Sequence, residues 1–467
     1  MESRSKYLVK NVGILTISNF ASKILVFLLV PLYTNVLSKE EVGIYDLIVS
    51  TVAILVTILS ANIVDAVMRY SMDKTKSKNE IAAIGIKFIS ISSLAAVFIV
   101  ILLKALNVLH QIEGLEIFII VYFITHILNT FLIQFAKGLE RVTDLGVSGV
   151  IGTIVTISAN VLFLLVYKMG LPGFFAATIL GQIMPTVYLV LRVRLWKYLK
   201  PLHINKELQK EMLLYCVPLI ATTIGWWVNS ASDKYVVVLF CGIGANGLLS
   251  VAYKIPHVIN TLHGIFTQAW QISAIKEYGS SDSSKFYGRY FLILNALQAA
   301  ACSWLIVLSK PLAYLLYKKD FFTAWQFVPF LLISCVFNSA SGFCGSILSA
   351  KKDSRSMAMS AIYGAVANVI MNILFVWLIG IQGATIATAI SSFIIYYVRK
   401  RAVGADLEMK GYGIVLITWA LLCVQAVIDI YIQFWWIEAI LMLLMLIINW
   451  KTLMDLLKFG KTVQKGQ

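Results

Sequence analysis

Apolar stretches long enough to cross a bilayer follow one another along almost the whole of this sequence. A helix needs about 20 apolar residues to span the hydrocarbon core, and about fourteen stretches are close to that length or longer. The chain is 60% apolar and only 13% charged, with a mean hydropathy of +0.84, whereas about a quarter of the residues in soluble domains are charged. The sequence therefore predicts an all-α polytopic membrane protein.

Short polar segments separate the predicted spans. The spans are Asn11–Val36, Ile44–Tyr70, Ile81–Leu106, Leu115–Ala136, Leu145–Tyr167, Phe174–Leu191, Met212–Leu239, Gly247–Ile275, Tyr290–Leu308, Ala324–Leu348, Met357–Leu378, Gly383–Val398, Gly411–Ile430 and Phe434–Trp450.

The basic residues are distributed unequally between the two sides of the membrane. If the spans alternate in direction, about 28 of the 39 lysines and arginines lie on the same side as the N-terminus. Cytoplasmic segments carry such an excess, so we predict that both termini are cytoplasmic. The formal charge of +16 is then explained by topology, and nucleic acid is not expected as a partner.

Two internal repeats divide the chain into similar halves. Asn160-Val-Leu-Phe with Gly173 is matched by Asn372-Ile-Leu-Phe with Gly383, about 210 residues later. Gly43 and Gly247, which precede polar-faced spans, are about 204 residues apart. The common offset predicts two six-helix lobes of the same topology, with a transport cavity between them. We place the first lobe at residues 1–191, a cytoplasmic linker at 192–211, the second lobe at 212–400, and two additional helices with a tail at 401–467.

Several polar residues lie within the spans, where they are costly unless they face a partner or a cavity. Lys23 lies near the middle of the first span, one turn after Asn19. It either pairs with a neighbouring carboxylate or lines a water-filled cavity that receives an anion, and we predict the cavity. The eighth span carries a polar stripe that includes Lys254, His257 and Asn260; it should face water or substrate, with bends at Pro256 and Gly264.

Carboxylates and a histidine in the spans are candidates for gating or ion coupling. Asp65 and Arg69 are four residues apart, which allows either a local ion pair or a gate that changes partners. His126 is either hydrogen-bonded for structure or a proton relay. Asn368 and Asn372 are predicted to bond between helices. The gating or coupling candidates are Asp46, Asp65, Asp233 and His126.

Signatures of enzymes are missing from the sequence. It contains no GxxxxGK[ST] phosphate loop, no GxSxG, no HExxH and no clustered His/Cys site. We therefore expect no catalytic residues, no metal site and no cofactor, with transport driven by H⁺, Na⁺ or the membrane potential. The predicted outer loops are short, which argues against a polysaccharide polymerase with a large extracytoplasmic active site.

Four segments together form a family pattern. The first begins at Asn19 and continues through Phe27-Leu28-Leu29-Val30-Pro31-Leu32-Tyr33-Thr34 to Glu41-Val42-Gly43-Ile44-Tyr45-Asp46. The second is Asp65-Ala-Val-Met-Arg69-Tyr70, and the third is Val251-Ala252-Tyr253-Lys254. The fourth begins at Asn372 and ends with Gly383-Ala384-Thr385-Ile386-Ala387-Thr388. The pattern resembles the polysaccharide-transporter family of Wzx-type oligosaccharide flippases, in the MOP superfamily shared with MATE exporters and lipid II flippases.

The resemblance implies a fold and a function. The fold would be twelve core helices in two bundles, in the V-shaped arrangement of MATE exporters, with two more helices at the C-terminus. The function would be translocation of undecaprenyl-diphosphate-linked oligosaccharides from the cytoplasmic to the outer leaflet, for capsule, O-antigen or exopolysaccharide synthesis. The family's basic cavity corresponds here to Lys23, Arg69 and Lys254, and we add Asn19, His257 and Asn260 as head-group ligands.

We expect a monomer in the bacterial cytoplasmic membrane, in contact with the bilayer, its lipid-linked substrate and other polysaccharide synthesis proteins. A lipid II flippase and a cation-coupled multidrug exporter of the same superfamily are the alternatives within transport. Drug exporters favour acidic cavities for cationic substrates, whereas the lysines in these spans indicate an anion. A polymerase or a structural scaffold is the alternative from another class.

Overall fold

The described residues form helices and connecting loops, without strands. The computed structural model describes residues 27–107, 112–199, 205–280, 282–409 and 411–454. Its α-helices are α1 Val30–Val36, α2 Lys39–Leu59, α3 Ile63–Ser71, α4 Lys78–Ala105, α5 Glu116–Gly138, α6 Val142–Asn160, α7 Gly170–Val193, α8 Lys206–Cys241, α9 Ile243–Ala252, α10 Lys254–Glu277, α11 Ser283–Val307, α12 Ser309–Leu316, α13 Val328–Ala350, α14 Ser354–Ile379, α15 Ile381–Val403, α16 Tyr412–Val427 and α17 Trp435–Ile448. Turns of π-helix extend α6 over Val161–Val166 and α16 over Ile428–Ile432, 3₁₀-helix covers Leu195–Lys197 and Gly404–Asp406, and a longer 3₁₀ segment, Lys319–Phe327, leads into α13.

The predicted membrane spans correspond to long apolar helices. Eleven helical segments in the described ranges are long and apolar enough to cross a membrane, and they match the second to seventh and the ninth to thirteenth predicted spans. The eighth, α10, is long but too polar to be counted with them, and the fourteenth, α17, has 14 residues. Most of the first predicted span lies outside the described residues. The predicted all-α, multi-pass membrane fold is confirmed.

The contacts of the chain divide it into two compact units, Met1–Trp227 and Val228–Gln467. The division falls within α8. Before it, Trp227 Nε1 donates to the Ser50 carbonyl at 2.9 Å; after it, Ser232 Oγ donates to Asn368 Oδ1 at 2.8 Å. The predicted lobe and linker boundaries stay predictions.

The second predicted span is one helix only as far as Leu59, so its predicted continuation to Tyr70 is wrong. Helix α2 ends at Leu59, and α3 begins at Ile63. Ala61 and Asn62 between them have left-handed backbones, with φ of 49° and 53°, which non-glycine residues rarely adopt. The Asn62 carbonyl accepts a contact from Cys216 Sγ at 3.4 Å. The break separates Asp65 and Arg69 from the polar residues of α2.

The eighth predicted span is divided at Tyr253, where α9 ends and α10 begins; this helix junction is called the bend below. Pro256 has no backbone N–H and cannot bond the carbonyl of Ala252, four residues before it. The division lies within one turn of Pro256, where the sequence predicted a bend, whereas Gly264 lies inside the continuous α10. As a result, Lys254 occupies the first position of α10.

Gly383 allows α15 to pack closely on α14. A Cβ at this position would lie 2.6 Å from the backbone nitrogen of Val376 and closer still to the Phe375 carbonyl. We expect Gly383→Ala to destabilise the folded protein by about 1–3 kcal/mol, because backbone atoms would have to move.

The matched control is Gly149→Ala in α6, where a Cβ meets nothing within 4 Å. Thermal denaturation of the purified variants in detergent tests the difference. Equal melting temperatures for both variants would show that the close approach at Gly383 does not constrain the fold.

Candidate functional site

The predicted polar stripe lies on the accessible side of α10. His257 and Asn260 are exposed, and Lys254 is half-buried at the bend. The Tyr253 and His257 rings lie 5.9 Å apart. Further along α10, His263 lies between Thr267 Oγ1 at 3.0 Å and Ser339 Oγ of α13 at 2.9 Å. This contact anchors α10 to α13, while His257 and Asn260 remain exposed.

Asp233 of α8 is buried beside the same bend. Its side chain is 3% exposed and accepts a hydrogen bond from the Tyr253 hydroxyl. Asp233 Oδ1 also accepts from the backbone nitrogen of Lys234 at 2.9 Å. A carboxylate this deeply buried is costly unless its charge is matched or neutralised. The carboxylate thus contacts the hydroxyl of the residue at which α9 and α10 meet.

A layer of buried amides and hydroxyls adjoins Asp233. Asn368 and Asn372 of α14 are 1% and 0% exposed. Asn368 Oδ1 accepts from Ser232 Oγ at 2.8 Å and from Asn372 Nδ2 at 2.9 Å, and Asn368 Nδ2 donates to Ser391 Oγ at 3.1 Å. The predicted bonding between helices is thereby confirmed for Asn368, which joins α8, α14 and α15. Asn372 Oδ1 has no hydrogen-bond partner among the described residues.

Asp65 lies in the first turn of α3, where the positive end of the helix favours a carboxylate. Asn62 Nδ2 donates to Asp65 Oδ2 at 2.9 Å, and Gln134 Nε2 of α5 donates to Asp65 Oδ1 at 2.8 Å. Within the described ranges Asp65 and Arg69 form no ion pair, so the local-pair interpretation is wrong. The physical reason is that two amides already satisfy both oxygens of Asp65.

His126 of α5 belongs to a hydrogen-bonded layer between α5 and α7. Its Nδ1 lies 3.5 Å from Gln182 Nε2, and its ring stacks on Tyr122 at 5.6 Å. Asn129 Nδ2 donates to Thr186 Oγ1 at 3.0 Å in the same layer. This environment favours the structural interpretation of His126 over a proton relay.

The remaining predicted site residues add little to the geometry of the site. Asn19 and Lys23 lie outside the described residues. Arg69 is exposed on α3, and Asp46 is half-buried in α2. The described structure therefore brings Lys254, His257, Asn260 and Asp233 to one bend in the C-terminal unit, with Asp65 and Arg69 in the N-terminal unit.

Two polar residues with structural contacts were not identified from the sequence. Gln134 bonds Asp65 across 69 residues of chain, and no local spacing connects them. Arg399 is 7% exposed, and its guanidinium donates to Ser360 Oγ at 2.9 Å and to the Ser341 carbonyl at 3.1 Å. It lies in the basic run Arg399-Lys400-Arg401, which the sequence alone interprets as a topological signal.

The chain has similarity to a family and to solved structures. The sequence model of a family described as polysaccharide biosynthesis protein matches residues 8–271. No curated protein matches the sequence significantly. The lipid II flippase MurJ in an inward closed conformation matches with a TM-score of 0.70 and 15% identity, over 94% of this chain and 99% of MurJ.

Two further structures share the fold. An inward-facing multidrug resistance MATE transporter of the MOP superfamily has a TM-score of 0.65 and 14% identity, over 84% of this chain and 95% of its own. A MOP superfamily transporter from Pyrococcus furiosus, described by the reverse polarity of its binding pocket, has a TM-score of 0.54 and 15% identity, over 85% of this chain and 93% of its own. More than half of this chain matches the family model, and its helices adopt the MurJ and MATE fold, as the sequence resemblance predicted. The protein therefore belongs to the polysaccharide biosynthesis protein family and has the fold of MOP superfamily transporters.

Proposed function

We propose that this protein is a flippase for polyprenyl-diphosphate-linked oligosaccharides. It moves them from the cytoplasmic to the outer leaflet by alternating access, for synthesis of a surface polysaccharide such as capsule, O-antigen or exopolysaccharide. Membership of the polysaccharide biosynthesis family and a transporter fold support this class of function. The observation that carries the choice of substrate is the accessible cationic and amide face of α10.

The chemistry of that face suits a lipid diphosphate. Lys254 and His257 are one turn apart on a helix that matches a predicted span. An ammonium group binds phosphate oxygens through charge-assisted hydrogen bonds. Asn260 adds an amide that can bond sugar hydroxyls. The polyprenyl tail stays in the bilayer while the head group crosses.

Binding-site polarity separates this proposal from drug export. A transporter for cationic drugs needs anionic groups that accept the cation, whereas the accessible face of α10 presents Lys254 and His257. For the Pyrococcus furiosus transporter, which has the same fold, the reverse polarity of the binding pocket suggests a different function. We apply the same physical reasoning here, with an anionic head group as the substrate.

Reconstitution in proteoliposomes tests the function. We expect accelerated transbilayer movement of an undecaprenyl-diphosphate oligosaccharide, read as loss of protection from an added glycosidase. Lipid II and a cationic dye are assayed in parallel. Movement of lipid II alone would favour the lipid II alternative, export of the dye alone would favour the multidrug alternative, and no movement of the oligosaccharide lipid would contradict the proposal.

We propose further that Asp233 couples transport to H⁺ or Na⁺. Its burial and its hydrogen bond from the Tyr253 hydroxyl support this role, because binding of a cation would neutralise the carboxylate at the bend that carries Lys254. Asp46, Asp65 and His126 remain weaker candidates; two amides already satisfy Asp65, and His126 lies in a structural layer. The proposed setting is the bacterial cytoplasmic membrane with both termini inside, as a monomer that works beside other polysaccharide synthesis proteins.

A further inference from the structure

A basic cleft opens at one end of the N-terminal unit, apart from the residues assigned to transport. It has a volume of about 490 Å³, and its cationic lining residues are Arg141, Arg192, Arg194 and Lys197. Asp144, in the first turn of α6, is the carboxylate that contacts them in the described part of the chain. The cleft therefore has a surplus of positive charge that a bound anion would balance.

The buried carboxylate positions two of the four cations. Asp144 is 5% exposed; it accepts from Arg192 Nε at 2.9 Å and from the Tyr188 hydroxyl at 3.2 Å, and Arg141 lies 3.7 Å away. Arg192 bonds Asp144 through Nε and also interacts with the Tyr188 side chain, and its own side chain is 59% exposed, so an outside ligand can reach it.

The other two cations are placed by the end of α7. Arg194 has a left-handed backbone, with φ of 56°, and ends the helix. The chain then turns through the 3₁₀ segment Leu195–Lys197, which brings Lys197 to the same cleft. Across the described ranges, neither Arg194 nor Lys197 has an ion-pair partner, so both can contribute to binding an anion.

Both helices that lead to the cleft carry exposed apolar residues, and Leu191 of α7 also lines the cleft. On α6 the exposed apolar residues repeat at helical spacing as Val147, Val150 and Ile154, and on α7 as Met184, Val187 and Leu191. Each set follows an i, i+3, i+7 pattern and so forms one face of its helix. The exposed indole of Trp196 lies beside the cleft in sequence, and tryptophan is enriched at membrane interfaces. A ligand here can meet cations with its head and apolar surface with its chains.

We infer that this cleft binds the phosphate head group of an anionic phospholipid, with its acyl chains along α6 and α7. A free phosphate ion would use the cations alone, whereas a phospholipid would also use the apolar surface that begins at Leu191. Basic pockets between helices at the cytoplasmic side are suited to anionic head groups, and the charge distribution predicts this end of α7 to be cytoplasmic. The site does not depend on the proposed transport function.

Native mass spectrometry of the purified full chain tests the site with phosphatidylglycerol as the probe and phosphatidylcholine as its neutral counterpart. We expect selective retention of phosphatidylglycerol. Arg194→Gln with Lys197→Gln should lower its affinity by about 10- to 30-fold, as expected for two cations near an anionic lipid. The matched control is Lys74→Gln with Lys78→Gln, two exposed lysines of the same unit and the same predicted side, which should leave affinity unchanged.

Several results would overturn the inference. Equal binding of the two lipids to the wild-type protein would do so, and this measurement does not require a folded variant. An equal loss in the control variant would show a non-specific charge effect. Displacement of phosphatidylglycerol by millimolar inorganic phosphate would identify a free-anion site, and its displacement by an equimolar short-chain polyprenyl diphosphate would assign the cleft to the substrate instead.

Discussion

Lys254→Ala is expected to abolish surface polysaccharide in a flippase-deficient strain that the wild-type chain complements, while the protein still reaches the membrane. Lys254 begins α10 at the bend, half-buried, on the face that also carries His257 and Asn260. A charge-assisted hydrogen bond contributes about 1.5–3 kcal/mol, so its loss should slow transport by about 10- to 100-fold. Lys23→Ala, outside the described residues, should have the same result. Surface polysaccharide is measured by immunoblot, and membrane abundance is measured with an epitope tag.

Two further variants separate head-group binding from packing. Lys254→Arg keeps the charge and should retain part of the transport activity, although its planar fork contacts phosphate differently. Lys276→Ala removes the same charge from the exposed last turn of α10 and should leave transport intact. Normal polysaccharide from both Lys23→Ala and Lys254→Ala would refute anion binding by these lysines. An equal loss from Lys276→Ala would point to a general requirement for positive charge on α10.

Asp233→Asn is expected to remove the response of flipping to an imposed ion gradient. The substitution keeps the size of the side chain, and its Oδ1 can still accept from the Tyr253 hydroxyl, but it cannot bind or release a proton or balance the charge of Na⁺. In proteoliposomes, wild-type flipping should accelerate with a proton gradient or with a sodium gradient, and the variant should move substrate at the same slow rate with or without either. Parallel measurements with each gradient identify the coupling ion.

Asp65→Asn is the matched control, because it neutralises a carboxylate of the other compact unit that is already bonded to two amides. We expect it to keep the gradient response. If Asp65→Asn loses the response and Asp233→Asn keeps it, the coupling site belongs to the N-terminal unit. If wild-type flipping responds to neither gradient, neither carboxylate couples transport, and the membrane potential remains as the driving force.

Local sequence predicted the larger part of the fold. The lengths of the apolar stretches predicted eleven of the spans that the structure describes. Exposing unpaired backbone groups to lipid is costly, so such segments cross the membrane as helices. Pro256 predicted the bend because its missing N–H removes a backbone hydrogen bond within the same turn of the helix. Asn368 was correctly assigned to bonding between helices because an amide in hydrocarbon must find a partner, although its partners Ser232 and Ser391 could not be identified.

For the candidate site, the sequence predicted which residue types take part but not which side chains contact one another. The polar stripe of α10 was recognisable because helical spacing places Lys254, His257 and Asn260 on one side. By contrast, the interpretation of Asp65 and Arg69 as a pair failed because spacing allows a contact but cannot exclude a better partner. Gln134, distant in sequence, and the break at Asn62 changed the surroundings of Asp65.

The sequence alone therefore determined that this chain is an all-helical, multi-pass membrane protein, because the length and hydropathy of each segment decide separately whether it crosses the bilayer. The distribution of basic residues also predicts the orientation of the chain, because it too is a property of each short segment. Tertiary structure decided which polar groups meet: Asp233 with Tyr253, Asp65 with Gln134, and Arg141 and Arg192 of the cleft with Asp144. Those contacts depend on packing between helices far apart in the chain, where the left-handed turns at Asn62 and Arg194 redirect the backbone. Neither residue type nor spacing encodes such redirection.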